Sequence, residues 1–117
     1  MKLTFVQLRT YVADTRRLRL TDEDQRELEN VLLARPTAGT VMSGTGGLRK
    51  FRYAPLGRSG GKSGGIRVCY AWFLRFDHVY FVVAFGKNEQ PNLTAAQKSS
   101  VRALLHYIAA RLERSYP

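Results

Sequence analysis

Apolar residues recur in different rhythms along the chain, and each rhythm predicts an element. Leu3–Gln7 reads as a short first strand. Arg9–Arg19 reads either as a helix or as an irregular basic segment. Leu28, Val31 and Leu32 then recur at helical spacing, predicting a helix with one buried stripe. Thr21 is its hydroxyl N-cap, and Asp24, three residues on, is the reciprocal member of a capping box. Asp22, Glu23 and Asp24 fall in the first turn, where the positive end of the helix dipole favours carboxylates. This acidic cluster is therefore read as a helix start, not as a metal or catalytic site. Pro36 and Gly39 end the helix.

From Gly44 the pattern changes. Gly44-Thr45-Gly46-Gly47 is a turn, and Leu48–Tyr53 alternates like a strand up to Pro55. A glycine-rich loop over 57–65 follows. Ile66–Phe73 and Val79–Phe85 are β-branched and aromatic and read as a hairpin joined around Asp77-His78. Thr94 caps a last helix with Gln97 completing a second capping box, and Val101, Leu104, Leu105, Ile108 and Leu112 form its stripe. The predicted architecture is α+β in a single domain over 1–117. Its core is a small twisted antiparallel sheet of about four strands, with helices packed on one face.

Composition narrows the class. With 117 residues, 44% hydrophobic and 11% aromatic, the chain can fill a core, which excludes wholesale disorder. A single cysteine, Cys69, excludes a disulfide framework and is read as a small core residue. The longest uncharged runs, such as Val68–Leu74 and Val79–Gly86, fall short of the roughly 18–20 residues of a membrane span. The N-terminus reaches Arg9 before any signal-like stretch develops. The expectation is a cytoplasmic protein without membrane contact.

Charge points to a partner. Lys+Arg total 19 against 9 Asp+Glu, a formal net charge of +10, and arginine, with its planar bidentate fork, dominates the basic set. The acids are segregated: none occurs from Asn30 to Phe76, whereas Arg35, Arg49, Lys50, Arg52, Arg58, Lys62, Arg67 and Arg75 all do. Basic residues interleaved with aromatics and glycine turns suit a polyanion-binding face. Gly61-Lys62-Ser63 imitates a phosphate-binding P-loop, but Leu56 stands where the first glycine is required and the loop opens a strand instead of a helix. His78 and His106 lack ligand-spaced partners, so no metal is expected. What remains is cationic. Alternation sends Lys50 and Arg52 to one face and Phe51 to the other, while Arg67 enters the next strand and Lys87 follows the last one.

Gly44–Arg52, the Gly-Lys-Ser-Gly-Gly-Ile-Arg-Val-Cys-Tyr run at 61–70 and Phe85-Gly86-Lys87-Asn88-Glu89 together resemble the RelE/HigB superfamily of bacterial type II toxin–antitoxin toxins, most closely its HigB-like branch. The resemblance implies a microbial-ribonuclease-like fold and a ribosome-dependent endoribonuclease that cuts messenger RNA in the ribosomal A site. It also implies contact with ribosomal RNA and neutralisation by a cognate antitoxin, often a helix-turn-helix DNA-binding protein. By position, Lys50 and Arg52 match the family's basic pair, Arg67 its phosphate-binding arginine and Lys87 the cation after the final strand. Arg49, Arg58, Lys62 and Arg75 are candidate RNA or ribosome contacts.

The chemistry implied uses no cofactor: the ribose 2′-OH attacks the adjacent phosphorus, leaving a 2′,3′-cyclic phosphate and a 5′-OH. Two positions depart from RelE, which has an arginine at Asn88 and a tyrosine base at Thr94, so the base is open. Neighbouring cations favour the neutral amine that a lysine base requires, Lys50 before Lys87. The alternatives are a ParE-like gyrase poison, which would not need this cation set, and a non-catalytic RNA-binding module.

Overall fold

A computed structural model describes residues 2–55 and 65–116. The elements run β1 (Thr4–Gln7), α1 (Arg9–Arg17), α2 (Asp22–Ala34), β2 (Thr40–Val41), β3 (Arg49–Tyr53), β4 (Ile66–Phe73), β5 (His78–Gly86) and α3 (Ala95–Ser115). Both capping boxes form. The Thr21 hydroxyl accepts from the Asp24 N–H at 3.1 Å while Asp24 accepts from the Thr21 N–H at 2.8 Å. Thr94 and Gln97 repeat the exchange at 3.1 and 2.8 Å. The basic segment 9–19 resolves into helix α1. Arg58, Lys62 and the P-loop-like Gly61-Lys62-Ser63 lie outside the described residues.

The sheet differs from expectation in three respects. It has five strands in the order β1-β5-β4-β3-β2, not about four. The extra strand, β2, is two residues long and leaves no alternation to read. The sheet is mixed, because β1 runs parallel to β5 with Thr4 opposite His78, while the other pairs are antiparallel. Finally, helices cover both faces. Val68, Tyr70 and Phe81 pack with Tyr11 of α1 and with Leu28 and Leu32 of α2. Cys69, Ala71 and Val82 pack with Val101, Leu105, Ile108 and Leu112 of α3. Strands β4 and β5 are apolar at consecutive positions, not at alternate ones, and such strands must be covered on both sides.

Side chains complete the ladder where β1 runs out. The strand ends at Gln7, and the Leu8 N–H still reaches the Phe81 carbonyl at 3.0 Å. Beyond that, α1 lies along the bare edge of β5. Thr10 Oγ1 donates to the Val82 carbonyl at 2.5 Å, Asp14 Oδ2 accepts from the Ala84 N–H at 2.9 Å, and Arg17 Nη2 donates to the Ala84 carbonyl at 3.1 Å. Backbone groups that would otherwise template another chain are thereby occupied.

The connection from α2 to β2 is held by Tyr70, which is fully buried. Its hydroxyl donates to the Pro36 carbonyl at 2.7 Å and accepts from the Gly39 N–H at 2.8 Å. The approach leaves no room at Gly39, where an added Cβ would stand 2.8 Å from the Tyr70 ring. Replacing Tyr70 by Phe keeps the ring but strands two buried backbone groups. Tyr70→Phe is expected to cost about 1–3 kcal/mol of unfolding free energy in urea titration; an unchanged midpoint would contradict this anchoring.

Candidate phosphodiester site

The β3–β4 register sets the site. Arg49 pairs with Tyr70, Lys50 with Cys69, Phe51 with Val68, Arg52 with Arg67 and Tyr53 with Ile66. Directly opposed residues share a face, and so do alternate residues of one strand. Lys50, Arg52, Arg67 and Cys69 therefore lie on the α3 side of the sheet, while Phe51 and Tyr53 pack into the core beneath α1 and α2. On that same side Arg67 has Phe85 of β5 as its other cross-strand neighbour. The core under α3 takes in Cys69 and Phe85, so the cations occupy its margin, towards the ends of β3 and β4. Arg52 is exposed and Lys50 and Arg67 half-buried.

Lys87 comes to the same end of the sheet. Its N–H donates to the Gly65 carbonyl at 3.4 Å, one residue past the Gly86–Ile66 pair. Gly65 has φ +71° and lies so close to β3 that a Cβ there would stand 2.7 Å from the Tyr53 carbonyl oxygen. Only glycine meets both demands.

The other nominated cations go elsewhere. Arg49 points to the opposite face, where its guanidinium donates to the Gly39 carbonyl at 2.8 Å. Arg75 belongs to a short 3-10 turn, Leu74–Phe76, at the far end of the hairpin, paired with Glu113 and lying over the Phe76 ring. The structure thus brings together Lys50, Arg52, Arg67 and Lys87, and separates Arg49 and Arg75 from them.

Nearby titratable groups have structural surroundings. Burial pushes the Cys69 thiol up to about 12, opposed by the charge of Lys50. Such a thiol stays protonated and is no nucleophile. Burial, and then the hydrogen bond to Asp24 at 3.0 Å, raises Tyr53 far above the ordinary phenol value. Among the described residues no group of three or more His, Cys, Asp or Glu side chains is arranged to hold a metal ion.

A clamp that sequence reasoning missed fixes the turn carrying Lys87. Arg17 donates to both Glu89 oxygens, through Nε at 2.8 Å and Nη2 at 3.1 Å, and to Asp14 at 2.6 Å. Glu89 Oε1 also accepts from the Gly86 N–H at 2.8 Å. The turn from Gly86 to Glu89 is thus tied to α1 across 72 positions of sequence. The i,i+3 pair Asp14–Arg17 was the one local signal; its distant partner had none.

No known protein-family model matches the chain. The site is therefore read from its own geometry.

The hydrogen bond from Arg17, and then that from Gly86, lowers the Glu89 carboxyl below its ordinary value of 4.5. A depressed carboxyl stabilises the fold above its unfolded value and loses that contribution as pH falls through the folded one. Glu89 and Arg17 are partly exposed, so screening keeps the effect small. Wild-type protein should accordingly lose more thermal stability than Glu89→Gln between pH 6 and pH 3. Parallel melting curves for the two proteins over that range would refute the clamp.

Proposed function

We propose that this chain is a RelE/HigB-type toxin with the corresponding ribonuclease-like fold, which cuts messenger RNA in the ribosomal A site and is neutralised by a cognate antitoxin. One observation carries the reading: Arg52 and Arg67 are directly opposed on the sheet face that also holds Lys50, with Lys87 at the adjoining turn. Like charges placed opposite one another destabilise a sheet, and a phosphodiester offers them a shared counter-charge. The absence of acids from Asn30 to Phe76 supports the same reading.

The residues divide the reaction between them. Arg67 and Arg52 bind the scissile phosphate. As the 2′-OH attacks phosphorus, negative charge gathers on the non-bridging oxygens, and cations already in place lower that barrier. Lys50 is a diagonal neighbour of Arg67 across the β3–β4 pair, roughly 7 Å away by the usual geometry of such pairs, close enough to face the same ribose-phosphate unit. Lys50 takes the 2′-OH proton. Bond formation from O2′ to phosphorus expels the 5′ oxygen, giving the 2′,3′-cyclic phosphate and a 5′-OH. Lys87 neutralises the departing strand. Thr94, at the position of RelE's tyrosine base, is engaged as the cap of α3 through its bond from Gln97, consistent with a base elsewhere. The action takes place on cytoplasmic ribosomes, where ribosomal RNA contributes to orienting the message.

Arg67→Ala is expected to leave the fold intact and to reduce ribosome-dependent cleavage by about 10²–10³-fold. The readout is sequencing of 5′ ends in cellular messages after induction, where wild type gives cuts in register with codons. Full cleavage by Arg67→Ala would remove its phosphate role. Intact messages with failing DNA supercoiling would favour a gyrase poison instead.

A further inference from the structure

A second basic and aromatic surface lies at the opposite end of the sheet from the Arg52–Arg67 pair, about six residues along β4, or roughly 20 Å. It is built where the end of α3 crosses the start of β5. Tyr116 packs against Phe76 with ring centroids 5.9 Å apart and against His78 at 5.7 Å, and His78 stacks on Tyr80 at 6.2 Å. The His78 ring is fixed through Nδ1, 2.6 Å from the Phe76 carbonyl. On α3, Arg111 lies over the Tyr107 ring at 5.8 Å and donates to its hydroxyl at 3.2 Å. Burial raises the Tyr80 phenol, Tyr116 adds to the rise and Arg111 opposes it, which sets all three side by side.

The arrangement is unusual for a merely solvated surface. Tyr107 and Tyr116 are 55% and 54% exposed, although large aromatic faces in water carry a cost that core packing does not recover here. Tyr107, Arg111 and Arg114 follow one another at spacings of four and three, so they share one side of the helix. The acid on the flanking side of the helix, Glu113, is engaged by Arg75, and Asp77 occupies the left-handed turn before β5. Guanidinium groups held beside open aromatic faces suit unpaired nucleobases, which stack on the rings while the cations meet the phosphates. Duplex RNA, whose bases are already stacked, gains nothing from such faces.

We propose that Tyr107, Arg111, Tyr116 and His78 form a stacking platform for single-stranded RNA, separate from the cleavage site. The choice of RNA rests on the ribonuclease reading above, but the platform is measured by binding alone, so either can fail without the other.

The probe is a fluorescein-labelled 2′-O-methyl oligonucleotide of roughly 12 nucleotides without self-complementarity, a length that spans such a groove and a chemistry that cannot be cleaved by 2′-OH attack. Fluorescence anisotropy should show the doubly substituted Tyr107→Ala/Tyr116→Ala protein binding about five- to tenfold more weakly than wild type, with its circular dichroism unchanged. Tyr107→Phe/Tyr116→Phe, which keeps both faces, should bind as wild type does. Arg111→Ala should weaken binding and flatten the salt dependence by about one counterion. The proposal is overturned if the double alanine protein, still folded, keeps wild-type affinity, or if duplex of the same sequence competes as well as the single strand. A change in sedimentation on substituting the two tyrosines, with RNA affinity unaltered, would overturn it in favour of contact between copies of the chain.

Discussion

The pairing of β3 with β4 is the constraint on which the rest depends. Side chains alternate with a period of two, so a slip of one residue would send Lys50 and Arg52 into the core and Phe51 and Tyr53 into water. Several contacts forbid that slip. Tyr70, opposite Arg49, is pinned between Pro36 and Gly39, and Tyr53 at the other end of the pair reaches Asp24 on α2. The β2–β3 turn is held by Thr45, which is fully buried, donates to the Met42 carbonyl at 2.6 Å and accepts from the Leu48 N–H at 3.0 Å. The core below the sheet thus determines which cations gather above it.

The same economy governs the acids. Asp24 serves a capping box and a tyrosine, Asp14 completes the edge of β5, Glu89 ties the turn after β5 to α1, and Glu113 engages Arg75. Each carboxylate does a structural task away from the face shared by Lys50, Arg52 and Arg67. The net charge of +10 is therefore concentrated by the fold as well as by composition. Arginine placed opposite arginine costs the sheet about 0.2–1 kcal/mol relative to neutral residues, a cost consistent with selection for an anionic ligand.

Local chemistry was legible in the sequence. Two threonine caps, the stripe Val101-Leu105-Ile108-Leu112 and the hairpin strands all rest on neighbours within a few positions, where spacing alone carries the signal. The shared face of Lys50 and Arg52 was legible for the same reason. What depends on distant partners was not. The parallel pairing of β1 with β5, the cover on the second face, the exclusion of Arg49 from the site and the clamp of Arg17 on Glu89 all follow from contacts that local spacing cannot indicate. The continuous apolar runs of β4 and β5 did signal burial on both sides, against the one-sided packing first expected.

The central claim is that Arg52 and Arg67 face each other for the sake of a phosphate, at the expense of the sheet. Arg52→Glu tests it most directly, because an opposite charge across the strands should relieve the repulsion while removing the binding site. Thermal melting at low salt, alongside RNA cleavage on ribosomes, should give a protein about 2–6 °C more stable that no longer cuts messages. A variant that melts below wild type, or that cleaves at the wild-type rate, would contradict the account.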